Sequence, residues 1–315
     1  MIIKTEEITQ DDILNEVILG LSRQQKKLPS KLFYDEKGSA LFNEICELDE
    51  YYPTRTEMQI MRDNIEEMGS LLGEGTLLIE LGSGSSTKIR LLLEHIPGLA
   101  GYIPIDISAE HLSQSAISLK EKFPDLNIYP LAADYTKDFD LPLIYNPYDH
   151  IAAYYPGSTI GNFKPDEAKD FLSRIAKIIG KDGGMLIGVD LKKDRKTLEN
   201  AYNDKRGVTA EFNLNILNHI NNEVGSDFDL DKFEHFAFYN EKKGRIEMHL
   251  ISNVEHRVRV NGTSILFKEG ENILTEYSYK YSLEEFAILV SDLFEVRKVW
   301  TDSDNLFSVQ YLRVK

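Results

Sequence analysis

The feature that most constrains the fold is a regular alternation of apolar strand-like runs and helical segments between Gly75 and Asp190. Each apolar run is short, and helical periodicity returns between one run and the next. Parallel strands need a crossover connection, which is usually a helix, so this alternation indicates βαβ units. We therefore predict an α/β fold with helices on both faces of a parallel sheet. The predicted strands cover residues 76–81, 101–106, 127–132, 149–154 and 183–190.

The end of the chain predicts an antiparallel addition to this sheet. Residues 294–300 and 307–312 have strand patterns, and the turn-forming residues 301–305 separate them. A helix is predicted over 282–294, immediately before the first of these strands. The two strands are therefore expected to form a hairpin that closes the sheet.

Two segments do not follow the alternation. The first 55 residues are predicted to be helical, with a cap at Thr9 and an interruption at Pro53. Residues 192–224 are predicted to be helical, and 236–260 to form antiparallel strands. We therefore expect a core domain of residues 56–190 and 281–315. We also expect a discontinuous α+β substrate domain of residues 1–55 and 191–280, with a cleft between the two domains.

Composition and charge limit what this chain can bind and which covalent or metal sites it can form. The formal net charge of −16 disfavours sequence-independent binding to nucleic acid and to anionic membranes. Cys46 is the only cysteine, which rules out an internal disulfide and any cysteine-based metal site. The 7 histidines show no metal-binding spacing, and no apolar run is long enough for a membrane span. The N-terminal residues show no signal-peptide pattern, so we expect a soluble, cytoplasmic protein. We also expect it to be a monomer and to bind no metal.

A glycine turn and two carboxylates indicate a nucleoside site. Gly82 and Gly84 follow the first strand of the alternation, where doubly wound sheets bind ligands. Asp106 ends the second strand, and its separation from Gly82 in the sequence is about that of an acid that binds ribose hydroxyls. Asp134 follows the third strand. A dinucleotide site would need a third glycine, where Thr87 stands. Solvated acids at strand ends are the alternative. With the hairpin, the arrangement resembles class I methyltransferases, which implies S-adenosylmethionine as cofactor.

Five longer segments carry a narrower resemblance: 31–42 (KLFYDEKGSALF), 50–55 (EYYPTR), 157–163 (GSTIGNF), 201–204 (AYND) and 207–213 (GVTAEFN). They resemble the histidine Nα-methyltransferases of ergothioneine biosynthesis. The resemblance runs essentially from end to end. It implies methylation of the α-amino group of histidine, up to trimethylhistidine (hercynine), by a class I (Rossmann-like) methyltransferase domain with a second, substrate-binding domain.

This resemblance also implies roles for individual residues. Asn162 and Tyr202 match the anchors of the substrate carboxylate and amine, with Gly157 in the same loop as Asn162. Tyr51 matches a tyrosine near the imidazole, and Met248 a methionine of the pocket wall. The positions that match cofactor contacts are Tyr34, Gly82, Lys88, Asp106, Asp134 and Tyr135.

Glu276 and Ser278 match the pair that recognises the imidazole. On a strand these two residues point to one face, where a carboxylate and a hydroxyl can serve the two ring nitrogens. The alternative is an ion pair between Glu276 and Lys280 on a solvated edge. The asparagine and the tyrosines also have ordinary explanations, as a turn residue and as packing aromatics.

Methyl transfer from a sulfonium is an in-line displacement that depends mainly on orientation. The amine must lose a proton before each transfer, and Tyr34 or bulk water are candidate acceptors. Tyr34 and Asn162 are therefore the candidate catalytic residues. Two other functions remain open: N-methylation of another amino acid or aromatic amine, such as a tryptophan derivative, and cofactor binding without catalysis.

Overall fold

The computed structural model describes residues 4–5, 9–84 and 87–315. The helices are α1 (Gln10–Leu21), α2 (Glu36–Cys46), α3 (Tyr52–Leu72), α4 (Thr87–Leu93), α5 (Ala109–Lys122), α6 (Pro165–Ile179), α7 (Arg195–Asn200), α8 (Val208–Val224) and α9 (Leu283–Val290). The strands are β1 (Lys4–Thr5), β2 (Lys26–Lys27), β3 (Thr76–Leu81), β4 (Gly101–Asp106), β5 (Leu131–Ala132), β6 (His150–Tyr155), β7 (Gly184–Asp190), β8 (Phe233–Asn240), β9 (Arg245–Ser252), β10 (His256–Val260), β11 (Thr263–Phe267), β12 (Asn272–Tyr279), β13 (Phe294–Thr301) and β14 (Phe307–Val314).

The chain divides into two compact units. Unit 1 comprises Met1–Glu7, Pro53–Lys192 and Lys280–Lys315. Unit 2 comprises Ile8–Tyr52 and Lys193–Tyr279. Whether either unit is a domain that folds by itself stays a prediction. None of the helices in the described part of the chain combines the length and the apolarity that a bilayer crossing would need.

Unit 1 is built on one sheet with the strand order β1-β5-β4-β3-β6-β7-β14-β13. The strands from β5 to β7 pair in parallel, whereas β14 runs antiparallel to both β7 and β13. The predicted parallel sheet and its closing hairpin are confirmed, and this arrangement is that of a class I methyltransferase. Chain order reverses on either side of β3, so the carboxyl end of β3 is the switch point at which such sheets bind ligands.

The core of unit 1 forms because β3 is buried along its whole length and α3 packs one apolar face against the sheet. The apolar residues of that face recur at helical spacing. They are Ile60, Met61, Ile65, Met68 and Leu72. Pro53 lies in the first turn of α3, where its missing N–H costs no hydrogen bond. The expectation that Pro53 interrupts a helix was therefore wrong, because Pro53 lies at the beginning of one.

Three other predicted elements have different bounds in the structure. The predicted strand 127–132 is reduced to β5, with one isolated bridge between Ile128 and Tyr102. The helix predicted to reach Phe294 ends at Val290, because Phe294 already belongs to β13. The single helix predicted over 192–224 is two helices, α7 and α8.

Unit 2 combines a small sheet with helices. The sheet has the order β2-β12-β9-β8, with β9 antiparallel to both of its neighbours, and β10 and β11 form a separate hairpin. Helix α2 packs on α8. The predicted cap of α1 is confirmed, since the backbone N–H of Asp12 donates to Oγ1 of Thr9 at 3.2 Å.

Candidate active site

The glycine turn after β3 is tied to the end of β4. The backbone N–H groups of Gly82 and Ser83 both donate to the carbonyl of Ile105, at 2.9 and 3.1 Å. Gly82 has φ of 76°, and a Cβ there would lie 3.4 Å from the phenol oxygen of Tyr135. Glycine is therefore required by conformation, and Tyr135 covers the turn. Ser85 and Ser86, which complete the predicted turn, lie outside the described residues.

The two predicted carboxylates are each held by a backbone turn. An oxygen of Asp106 accepts from the N–H of Ser108 at 3.1 Å, and an oxygen of Asp134 accepts from the N–H of Thr136 at 3.0 Å. The hydroxyl of Thr136 donates to the same oxygen of Asp134, and a carboxylate has about four lone-pair positions in all. Burial and then the charge of Asp106 raise the pKa of Tyr135, so its phenol stays a neutral donor.

This end of the sheet fits a nucleoside cofactor. Ser83 is 2% exposed, and its hydroxyl has no hydrogen-bond partner in the part of the chain that the structure describes. A buried hydroxyl of this kind favours a polar ligand. The carboxylates supply acceptors for ribose hydroxyls and an amine, and the turn lets a ligand approach the backbone closely. Gly82, Asp106 and Tyr135 are thus brought together at the carboxyl ends of the strands, with Asp134 beside Tyr135 in sequence.

Glu57 is a residue at this end of unit 1 that the sequence analysis missed. It lies on α3, is 0% exposed, and accepts from the ammonium of Lys88. Both of its carboxylate oxygens also lie 3.0 Å from the backbone nitrogen of Gly157. One buried carboxylate therefore connects two predicted site residues. Its only signal in the sequence is its position two residues beyond the segment 50–55.

The loop that carries Asn162 is fixed by the end of β7. Ser158 is buried and has φ of 57°, a left-handed conformation that is uncommon for residues other than glycine. Its hydroxyl accepts from the N–H of Asp190 at 2.8 Å. Asn162 is half-buried and ends the short 3₁₀ helix Thr159–Asn162 that follows.

Asp190 also forms a buried ion pair with Lys280. The ammonium of Lys280 lies 2.6 Å from the carboxylate, and both side chains are 1% exposed. Lys280 is therefore not on a solvated edge, so the alternative that placed it there with Glu276 does not hold. Nothing in the local sequence around either residue signals this pair, because it depends on tertiary contact.

The predicted substrate residues of unit 2 meet on one face of its sheet. In the register of β12 and β9, Glu276 lies opposite Met248, and Ser278 lies opposite Ile246. Directly opposed residues of antiparallel strands share a face, so Glu276, Ser278 and Met248 are neighbours. The hydroxyl of Tyr202 donates to Oγ of Ser278 at 2.8 Å, and this pair is buried.

Aromatic rings surround this face within unit 2. The ring of Tyr51 meets that of Tyr202 edge-on at 6.4 Å, and Phe42 lies 6.3 Å from Tyr51. Tyr34 packs edge-on against Phe42 at 5.7 Å. Desolvation, followed by the charges of Tyr202, Cys46, Tyr34 and Glu276, holds the pKa of Tyr51 well above its usual value. The phenol of Tyr51 is therefore a donor and not a base.

The predicted site residues are divided between the units. Unit 1 contains Gly82, Lys88, Asp106, Asp134, Tyr135, Gly157 and Asn162. Unit 2 contains Tyr34, Tyr51, Tyr202, Met248, Glu276 and Ser278. Tyr34, predicted to contact the cofactor, thus belongs with the predicted substrate residues. Across the described residues, no group of three histidine, cysteine or acidic side chains is arranged to hold a metal ion.

Over most of its length, the chain is similar to proteins that are named for histidine methylation. A family model described as "histidine-specific methyltransferase, SAM-dependent" matches residues 13–314. The chain is 38% identical over 302 residues to the histidine N-alpha-methyltransferase of Mycobacterium tuberculosis, covering 93% of this chain and 92% of the relative. It is 39% identical over 299 residues to that of Mycolicibacterium smegmatis, covering 91% and 90%.

A more distant relative bears a different substrate in its name. The chain is 28% identical over 311 residues to the 4-dimethylallyltryptophan N-methyltransferase of Epichloe festucae var. lolii, covering 88% of this chain and 87% of the relative. The family match nevertheless extends over nearly the whole chain. The chain therefore belongs to the family of histidine-specific, S-adenosylmethionine-dependent methyltransferases.

Proposed function

We propose that this protein transfers methyl groups from S-adenosylmethionine to the α-amino group of L-histidine, up to trimethylhistidine (hercynine), by in-line displacement. The observation that carries the proposal is the arrangement of Glu276 and Ser278 on one face of β12, with the hydroxyl of Tyr202 bonded to Ser278. A carboxylate accepts from an imidazole N–H, and a hydroxyl can donate to the other ring nitrogen. Phenylalanine offers neither group.

The binding roles follow the two sets of residues. In unit 1, Asp106 would hold the ribose hydroxyls and Asp134 the adenine amine, with Tyr135 and Gly82 against the nucleoside and Lys88 nearby. Bound S-adenosylmethionine supplies an electrophilic methyl group on a sulfonium. For the amino acid, Asn162, Tyr202 and the Gly157 loop would hold the carboxylate and amine, and Tyr51 and Met248 would border the ring.

The chain's contribution to the reaction is orientation more than acid–base chemistry. Holding the amine nitrogen in line with the methyl group replaces a bimolecular encounter, an effect worth several kcal/mol. The amine must lose a proton before each transfer. Tyr51 stays protonated because its pKa is raised, which leaves Tyr34 or bulk water as acceptors. After three transfers the nitrogen has no lone pair, so the reaction ends.

The test is incubation of the purified protein with S-adenosylmethionine and an equimolar pool of the twenty amino acids, followed by mass spectrometry. Histidine should be consumed and appear as a species carrying three additional methyl groups. Mono- and dimethylhistidine should also be converted when supplied singly. Preferential methylation of tryptophan or another amine would instead support the alternative of a different substrate on the same fold. Failure to methylate any amino acid would contradict both.

A further inference from the structure

The direction in which Glu276 points depends on a β-bulge. Strands β9 and β12 are in register on both sides of an irregularity between Leu274, opposite His249, and Glu276, opposite Met248. Thr275 is therefore the extra residue. Without the bulge, the register would place Glu276 opposite Glu247 on the other face of the sheet, because side chains alternate along a strand. The bulge at Thr275 thus decides which face carries the carboxylate.

A buried asparagine of α8 holds this bulge. Asn213 is 0% exposed, and its Nδ2 donates to the carbonyl of His249 at 3.0 Å. Its Oδ1 accepts from the hydroxyl of Thr275 at 2.7 Å. A backbone carbonyl can only accept a hydrogen bond, so the contact with His249 fixes the orientation of the amide. Asn213 therefore joins the two strands at the position where the bulge disturbs their pairing.

The same amide reaches the backbone of Tyr202 through a histidine. Nδ2 of Asn213 lies 2.9 Å from Nδ1 of His235, and Nε2 of His235 lies 2.9 Å from the carbonyl of Tyr202. That carbonyl needs a donor, which places the ring proton on Nε2 and leaves Nδ1 as the acceptor. Burial lowers the pKa of His235, in agreement with this neutral tautomer. The hydroxyl of Tyr202 in turn donates to Ser278, three residues from Thr275.

We propose that Thr275, Asn213 and His235 are positioning residues that set selectivity for an imidazole by fixing Glu276 and Tyr202. In this proposal they act through those two residues and do not touch the substrate. The inference rests on the proposed function, because it takes Glu276 as the residue that reads the imidazole.

Thr275→Val is the main test, because valine keeps the branched shape and removes the hydroxyl that Asn213 binds. The dissociation constant of histidine, measured by calorimetry with saturating S-adenosylhomocysteine, should rise roughly tenfold. KM for histidine should rise in parallel, whereas kcat and KM for S-adenosylmethionine should stay within about twofold. Thr275→Ser restores a hydroxyl and should bind histidine within about threefold of wild type.

The ratio of kcat/KM for histidine to kcat/KM for tryptophan distinguishes a positioning role from a purely structural one. A loss of folded protein lowers the rate with every substrate by the same factor. Misdirection of Glu276 instead lowers kcat/KM for histidine relative to tryptophan. Thr275→Val should lower that ratio roughly tenfold, whereas the control Thr263→Val, exposed on β11 of the same unit, should leave it unchanged. An equal effect of Thr275→Val on both substrates would overturn the inference.

A double variant tests whether Thr275 acts through Glu276. In a Glu276→Ala background, adding Thr275→Val should cause a much smaller further loss of histidine affinity than in the wild type, because only the effect through Tyr202 remains. Additive losses would overturn the inference. If Glu276→Ala impairs histidine binding while Thr275→Val does not, the positioning role is wrong and the proposed function stands. If Glu276→Ala itself is silent, the imidazole assignment fails, and the inference fails with it.

His235→Phe provides a second variant in case Thr275→Val does not fold. His235 is only half-buried, and phenylalanine keeps a planar ring while removing both hydrogen bonds. The dissociation constant of histidine should rise by roughly threefold to tenfold. Wild-type affinity in a folded His235→Phe protein would exclude His235 from the network.

Discussion

Glu80 makes the stability of this protein depend on pH in a direction opposite to that of most carboxylates. It lies on β3, is 2% exposed, and accepts from the phenol of Tyr102. Desolvation raises the pKa of Glu80 from 4.5 to about 8, with the phenol opposing the shift and Asp106 adding to it. Between pH 4.5 and pH 8, Glu80 is therefore protonated in the folded chain and ionised in the unfolded chain. Folding stability should therefore fall as pH rises from 4.5 to 8.

The size of this effect follows from the same shift. One pKa unit corresponds to about 1.36 kcal/mol, so three pH units between pH 5 and pH 8 correspond to about 4 kcal/mol. Glu80→Gln removes the titrating group and keeps an oxygen that can accept from Tyr102. The variant should therefore gain stability relative to wild type by up to about 4 kcal/mol between pH 5 and pH 8.

Urea unfolding of both proteins at several pH values measures this difference. Glu67→Gln is a matched control on α3, since Glu67 is exposed and hydrogen bonds from Lys298 and Trp300 lower its pKa. Its contribution is present above pH 4.5 and is lost as pH falls, so this control should show no relative gain toward pH 8. Parallel stability curves for wild type and Glu80→Gln from pH 5 to pH 8 would refute the argument.

Three further predictions concern the cofactor, the substrate and the domains. Asp106→Ala should weaken S-adenosylmethionine binding by about 1.5–3 kcal/mol in calorimetry, and unchanged affinity in a folded variant would exclude the ribose assignment. Glu276→Ala should raise KM for histidine roughly 10- to 100-fold and reduce the difference in kcat/KM between histidine and tryptophan or phenylalanine. Wild-type histidine kinetics in this variant would count against the imidazole assignment. An isolated fragment of residues 191–280 should be largely unfolded by circular dichroism, because its apolar faces need residues 1–55, and a cooperative melt would show the proposed boundary to be misplaced.

The parallel sheet could be predicted from sequence because its strands are buried on both faces. Strands β3 and β4 begin and end where the apolar runs do, since each run is bounded by glycine or by a charged residue. The break between α7 and α8 was missed although its signals are local. Asp204 accepts from the N–H groups of Val208 and Thr209, at 3.0 and 2.8 Å, and Gly207 has φ of 75°. These contacts begin a new helix where a single one was expected.

The candidate site was less accessible to sequence reasoning. Asp106 and Asp134 could be identified because strand ends of a parallel sheet converge on one edge. Glu57 and Asn213 could not, because a buried polar residue inside a helix has the same local pattern as a solvated one. Their roles follow only from the carbonyls, amides and ammonium groups that tertiary contact brings to them.

The position of β14 has a consequence for how this protein is made. It lies between β7 and β13, and Ser308 contacts Val189 over a separation of 119 residues. Until β14 has been synthesised, the hydrogen-bonding edge of β7 has no partner on that side, although the residues of β7 were synthesised long before. Closing so long a loop is slow, and an open strand edge invites pairing with other chains. A nascent chain arrested before Phe307 should therefore aggregate or recruit chaperones, whereas one that includes the whole of β14 should not.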